Sequence, residues 1–280
     1  MSISLPTFTR RETPLLGRRH RIAVIARTGI RREIARPIAI FALAAGSLLV
    51  TLSSIIALVL FSIIPGGGGA VGLSTFYTVA ASNAGILFFA TFMAASAGSG
   101  LISEDRRTMA LSLYLSRPIT PADYLAAKAF ILATLMAMIC ALPLVLAPLV
   151  AALLGSVGWD IGLEALAIGI GLGLLLTAFF TSVTIFLSSL TSRRAYAAAG
   201  VFAITFGLTV PVQILAGSLS QPSLLYLSPW QDYLAVAAAA FGAPSQGIDW
   251  VPAFLILIVP TILFAMITYA RIRDLEVSTE

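Results

Sequence analysis

Six uninterrupted apolar runs decide what this chain can fold into: residues 37–64, 75–102, 125–154, 161–190, 195–216 and 252–270. Crossing about 30 Å of hydrocarbon takes about 20 helical residues, and every run is close to that length or longer. Backbone amides in lipid have no water to bond, so each run must satisfy them internally as a helix. Only 10% of the residues are charged, against about a quarter in a soluble domain. The expected fold is an all-α membrane protein with six transmembrane helices. A basic segment (1–36) precedes the membrane domain (37–271), and a short tail (272–280) follows it. Pro143 and Pro148 each remove a backbone donor from the third run, which predicts a kink there.

The basic residues give the orientation. Nine arginines precede the first run, Arg106, Arg107, Arg117 and Lys128 lie between or just inside the second and third, Arg193 and Arg194 join the fourth and fifth, and Arg271 and Arg273 follow the sixth. The alternate loops carry Asp160, Asp232 and Asp249 but no Lys or Arg. The positive-inside rule makes the arginine-bearing side the cytoplasm, with both termini on it and the chain multi-pass in the plasma or inner membrane. All three tryptophans, Trp159, Trp230 and Trp250, fall toward the opposite face, where amphipathic rings favour the headgroup level. Residues 18–36 read as a basic helix with Ile22, Ile25, Ile30 and Ile34 gathered on one side, an interfacial element lying on anionic lipid. Between runs five and six, residues 217–251 are long for a structureless loop. Their apolar stretch, 233–241, is too short to span, which predicts a re-entrant or interfacial piece.

The sequence pI of 9.8 does not signal nucleic acid, because the basic residues are distributed by membrane side rather than as a patch on a soluble surface. Catalytic chemistry has little material. His20 is the sole histidine and Cys140 the sole cysteine; neither a Ser–His pair around Gly98-Ser99-Gly100 nor a thiolate metal site can be assembled from them. Small residues at 98–100 are read as helix-packing positions instead. No ionisable residue sits at mid-depth to relay protons, Asp160 and Glu164 lying at the outer end of run four. The glycines at 66–69 lack the Lys-Ser/Thr of a phosphate loop. The chain is therefore expected to bind no cofactor of its own and to be no enzyme.

Polar groups inside the runs are few. Gly169, Gly171 and Gly173 offer a small face for close helix contact. Thr177, Thr181, Thr184 and Ser188 recur at spacings that share one helical face, and with Asn83 and Gln213 they are candidates for a substrate path or for helix contacts. Hydroxyls that bond back to their own helix are the competing reading.

The connection between runs two and three carries the strongest signal. It reads I-S-E-D-R-R-T-M-A-L-S-L-Y-L-S-R-P-I-T-P-A-D-Y-L-A-A-K over residues 102–128. Ser103 is expected to cap a helix with Glu104 and Asp105 in its first turn, where carboxylates favour the positive end of the dipole. Arg106 and Arg107 follow, Leu111, Tyr114 and Leu115 supply an apolar face, and Pro118 stops the helix. A short amphipathic helix at the end of two spans is what a soluble partner would need as a lever.

This stretch resembles the signature region of ABC-2 type permeases, the membrane subunits of a class of ATP-binding cassette transporters. Glu104, Arg106, Leu111, Leu115, Ser116, Pro118, Ile119, Tyr124 and Lys128 match the usual E-x-R-x-x-G-T-L-x-x-L-L-S-x-P-I-S-R-x-x-Y-x-x-G-K run in order and spacing. Met109 and Ala110 depart from it in place of Gly-Thr, as do Tyr114, Pro121 and Ala127. The resemblance implies a permease subunit, an exporter, paired with a second permease copy or paralogue. It also implies a separate ATP-binding cassette ATPase that holds the ATP and Mg and contacts a cytoplasmic coupling helix between helices 2 and 3. It assigns partner coupling to Glu104, Asp105, Arg106, Arg107, Leu111, Tyr114, Leu115, Ser116, Arg117 and Pro118. Membrane lipids are the other expected partner and nucleic acid is not one. A non-transporting scaffold or sensor built on the same fold is the alternative.

Overall fold

A computed structural model describes residues 17–63, 72–108, 120–245 and 247–277. Among them there is no strand, and six helices are long and apolar enough to cross a membrane. Helix α1 (Arg18–Ile34) precedes the spans. The spans are α2 (Pro37–Phe61), α3 (Ala84–Arg107), α4 (Pro121–Leu153), α5 (Trp159–Leu190), α6 (Arg194–Ser218) and, after helix α7 (Pro229–Ala240), α8 (Trp250–Val277).

The chain starts these helices where its chemistry allows. Pro37 and Pro121 occupy first turns, whose N–H groups have no intrahelical partner to lose. The Thr120 hydroxyl accepts from Asp123 N at 3.2 Å and caps α4. Asn83 caps α3: its Oδ1 accepts from Gly85 N at 2.9 Å while its Nδ2 donates to Ser53 of α2 at 3.0 Å. The second apolar run is thus divided. Residues Leu73–Phe76 and the π-helical turn Tyr77–Ala81 form a short separate helix, and the span begins after Asn83 and continues to Arg107. Span α4 breaks at Ala141, between its Pro121–Cys140 and Leu142–Leu153 halves. The break has a packing counterpart. A Cβ on Gly173 would lie 2.5 Å from Ala141 Cα, and one on Gly169 would collide with the Leu144 carbonyl. The two glycines let α5 approach the exposed backbone of the kink, whereas Gly171 meets nothing.

Span α5 lies at the centre, packed on α4, α3 and α8. Tyr124, Phe180, Leu132, Leu135, Met136 and Ile139 are fully buried around it. Burial falls away at the periphery: 67% of the most apolar window of α3 is buried, but only 22% for α6 and 17% for α8. The exposed Ile214, Leu215, Leu255, Ile262 and Met266 need lipid or another chain as solvent. Helix α1 packs on α4, where Gly29 leaves no room for a side chain against Ile131. Between α6 and α8, α7 is buried from Trp230 to Ala238. Trp159 and Trp250 are exposed, but Trp230 is not. Its ring lies 5.0 Å from that of Tyr233, inside the protein.

Candidate functional site

The arginine-bearing ends of the spans meet in a cluster of ionic and side-chain-to-backbone bonds centred on the last turn of α3. Ser103 does not cap a helix there. Its hydroxyl donates to Ser99 O at 2.7 Å within a continuous helix, so Glu104 and Asp105 stand at the C-terminal end of α3 rather than at an N-terminus. The helix dipole disfavours carboxylates at that end, and cations from other elements compensate.

Glu104 is a node for three arginines. Arg194 Nη1 donates to its Oε1 at 3.2 Å, and Arg36 and Arg32 approach Oε2 at 3.5 and 3.8 Å. Arg36 also donates to Glu33 Oε2 at 2.8 Å. Burial pushes the Glu33 carboxyl above its ordinary 4.5, with Arg36 and Arg32 pulling it back and the neighbouring Glu104 adding to the rise. Arg194 Nη2 in addition donates to the Ser96 carbonyl in the π-helical turn Ala94–Gly98. One carboxylate thereby joins the end of α3 to α1, to the residue that enters α2, and to the start of α6.

Asp105 closes a second contact, with α4. Lys128 Nζ and the Tyr124 hydroxyl both reach its Oδ2 at 2.7 Å, and Lys128 lies 5.5 Å from the Tyr124 ring centroid. The Lys128 and Asp105 side chains are only 11% and 13% exposed, which separates this pair from an ordinary surface ion pair. Arg106 Nη1 donates to the Ser189 carbonyl of α5. Just above, Ser188 reaches from α5 into the α3 ladder. Its hydroxyl donates to Ser99 O at 2.7 Å and accepts from Ile102 N at 3.1 Å and Ser103 N at 3.0 Å. The π-helical turn Ala94–Gly98 shifts the register of the α3 ladder just before Gly100, and the amides of Ile102 and Ser103 that follow it take an outside acceptor. Ser188 supplies it. Residues 105–107 therefore divide: Asp105 and Arg106 turn into the bundle, and Arg107 is exposed.

The positions Leu111, Tyr114, Leu115, Ser116, Arg117 and Pro118, read from sequence as an amphipathic coupling helix, lie outside the described residues. The polar stripe on α5 splits between two surroundings. Thr184 donates to Phe180 O at 2.6 Å and, with Ser188, faces α3, where Gly98 accommodates its methyl. Thr177 and Thr181 line a groove toward α4 and α8, and their hydroxyls have no partner among the described residues. Asn83 serves the α3–α2 contact. Gln213 is exposed on the weakly buried α6.

Sequence reading found Glu104, Asp105, Arg106 and Ser188 but left out Arg32, Arg36 and Arg194 as members of the site. Lys128 had a visible signal, being a lysine two turns inside an apolar helix, where a charge needs a partner. The three arginines had none, since any of the many at that end could have been the ones chosen. Among the described residues no group of His, Cys, Asp and Glu is arranged to hold a metal.

No curated protein matches the chain closely enough to compare. The sequence profile of the ABC-2 family transporter protein matches residues 73–272. That interval takes in five of the six spans, the α3–α4 connection and the Glu104 and Asp105 nodes. With the six-helix bundle and the signature run between α3 and α4, it places this chain in the ABC-2 family, as a multi-pass membrane permease of ABC transporters.

Proposed function

We propose that the chain is the membrane half of an exporter driven by a separate ATP-binding cassette ATPase, which holds the ATP and Mg and grips the segment that follows Arg107. The observation that carries this reading is the way the last turn of α3 is tied. Through Glu104, Asp105, Arg106 and Ser188 it is bonded to α1, α4, α5 and α6. A push on residues 108–120 is then transmitted to most of the bundle at once, because ionic bonds in a partly desolvated site are costly to break one at a time. The arginine-bearing end faces the cytoplasm, where such an ATPase resides, and α1 lies along the inner leaflet with its exposed arginines on anionic lipid. Two permease chains complete the transporter, and the exposed apolar faces of α6 and α8 supply surface for pairing or for lipid. ATP hydrolysis is assigned to that partner and not to this chain. The mostly apolar lining of the bundle favours a hydrophobic or amphiphilic cargo.

The test is a double-mutant cycle on reconstituted permease with its ATPase. Glu104→Gln is expected to lower transport-coupled ATP hydrolysis by about tenfold, and Arg194→Gln added to it is expected to cost little more, since both act through one node. Full coupling in Glu104→Gln, or failure of any ATPase subunit to co-purify with the wild type under every nucleotide condition, contradicts the proposal.

A further inference from the structure

Spans α4, α5 and α8 leave a groove of about 660 Å³ between them. It is lined by residues 122–133 of α4, 174–185 of α5 and 261–269 of α8. Alanines make its depth: Ala126, Ala129, Ala133, Ala178 and Ala265 stand where larger side chains would fill the space. Phe130, 59% exposed, and Leu174, 58% exposed, lie along it, so it opens sideways from the protein.

Its length and position are specific. Eleven helical steps along α4 cover about 16 Å at 1.5 Å per residue, half the thickness of a hydrocarbon core of about 30 Å. The groove begins toward the arginine-bearing ends of the three spans, at Ala122 and Tyr269. It is about as long as one leaflet is deep. Past that end, on the turn of α8 that follows Tyr269 and flanking the groove face, come the exposed Arg271 and Arg273, with Asp274 after them. An apolar channel of single-leaflet depth, basic at the headgroup end, matches an anionic lipid with one chain inside and its phosphate at the arginines.

We propose that this groove binds one acyl chain of an anionic phospholipid taken from the leaflet on the arginine-bearing side. The inference rests on the membrane embedding alone and stands whether or not the chain exports anything.

The experiment uses the full chain in vesicles of phosphatidylcholine containing a small fraction of phosphatidylglycerol that carries a photoreactive diazirine near the end of one acyl chain. Cross-linked peptides are expected from residues 122–133, 174–185 and 261–269 above the level on the exposed faces of α2 and α6. Ala126→Trp and Ala178→Trp fill the groove from exposed positions. Each is expected to lower labelling of these peptides by about fivefold or more while labelling elsewhere is unchanged. The gentler Ala178→Leu, read beside a thermal unfolding midpoint, covers the case in which a tryptophan variant does not fold. Arg271→Gln with Arg273→Gln is expected to abolish the preference over a phosphatidylcholine probe of the same chain. Labelling that simply follows lipid exposure and ignores Ala126→Trp and Ala178→Leu overturns the proposal. So does a shift from dimer to monomer in Ala126→Trp, which would assign the groove to a second copy.

Discussion

The two ends of this bundle treat buried polarity in opposite ways. At the arginine-bearing end each carboxylate of the α3 terminus is met: Glu104 by Arg32, Arg36 and Arg194, and Asp105 by Lys128 and Tyr124. At the tryptophan-bearing end, α7 buries Gln231, Asp232 and Tyr233. The Gln231 Nε2, both Asp232 carboxyl oxygens and the Tyr233 hydroxyl find no hydrogen-bond partner among the described residues. Burial alone pushes the Asp232 carboxyl up to about 8, and burial first, with Cys140 and Tyr77 adding to it, raises the Tyr233 hydroxyl above its ordinary 10. A satisfied network rigidifies, whereas unsatisfied buried groups cost free energy in the conformation that buries them. The first end is tied to its neighbours through paired groups, whereas the second buries polar groups at a free-energy cost.

The contrast is broken most severely at the Asp105–Lys128 pair. Removing one partner, as in Lys128→Met, leaves a buried carboxylate and is expected to cost about 3–5 kcal/mol. Lys128→Met combined with Asp105→Leu is expected to recover most of that loss, because a well-packed apolar pair can replace a buried ionic one. Chemical unfolding in detergent measures both, and a double variant no better than the single one would show that the pair is not an isolated unit.

A change of opposite sign is expected at the other end. Asp232 in the folded protein holds its proton up to about pH 8, against an ordinary 3.8. The folded state therefore binds more protons than the unfolded one between these values, and stability falls as pH rises through that window, then levels off above it. Asp232→Asn removes the titration. It is expected to raise the unfolding midpoint at pH 9 by about 5 °C or more and to flatten the slope between pH 5 and pH 8. An unchanged slope would mean that another group carries the pH dependence.

Smaller in scale is the Ser188 stitch. Ser188→Ala strips the outside acceptor from two α3 amides and a donor from Ser99 O, and is expected to cost about 1–3 kcal/mol. Ser182→Ala, whose hydroxyl only returns to Phe179 O at 3.0 Å on its own helix, is expected to be close to neutral. Equal effects of the two would erase the distinction between a stitch across helices and a local back-bond.

The spans were legible because lipid leaves one option for a long apolar run, but the interruption of the run 75–102 at Asn83 was not, because a single asparagine in an apolar stretch reads as well as a contact residue as it does as a cap. Nor was the course of the chain around Ser103. Serine followed by two acids has the composition of a helix start, yet the same residues continue α3, since four cations from elsewhere, Arg32, Arg36, Arg194 and Lys128, can offset the unfavourable dipole and local spacing holds no record of them. Trp230 misled for a related reason. An aromatic next to a loop reads as interfacial, but α7 folds inward and its ring packs on Tyr233. The Thr177–Ser188 stripe was correctly placed on one face of α5, while its division between a groove and the α3 contact depends on where the neighbours end, which periodicity does not encode.

The central claim is that the end of α3 presents its free surface to a soluble ATPase on the cytoplasmic side, and Arg107→Cys tests it most directly. Arg107 is exposed, and the single native Cys140 is buried, so a membrane-impermeant maleimide reads one site. Labelling in inverted vesicles but not in intact cells, reduced when the ATPase is bound, is the expected result. Labelling from outside intact cells would put the clamp on the wrong side of the membrane and contradict the coupling role assigned to it.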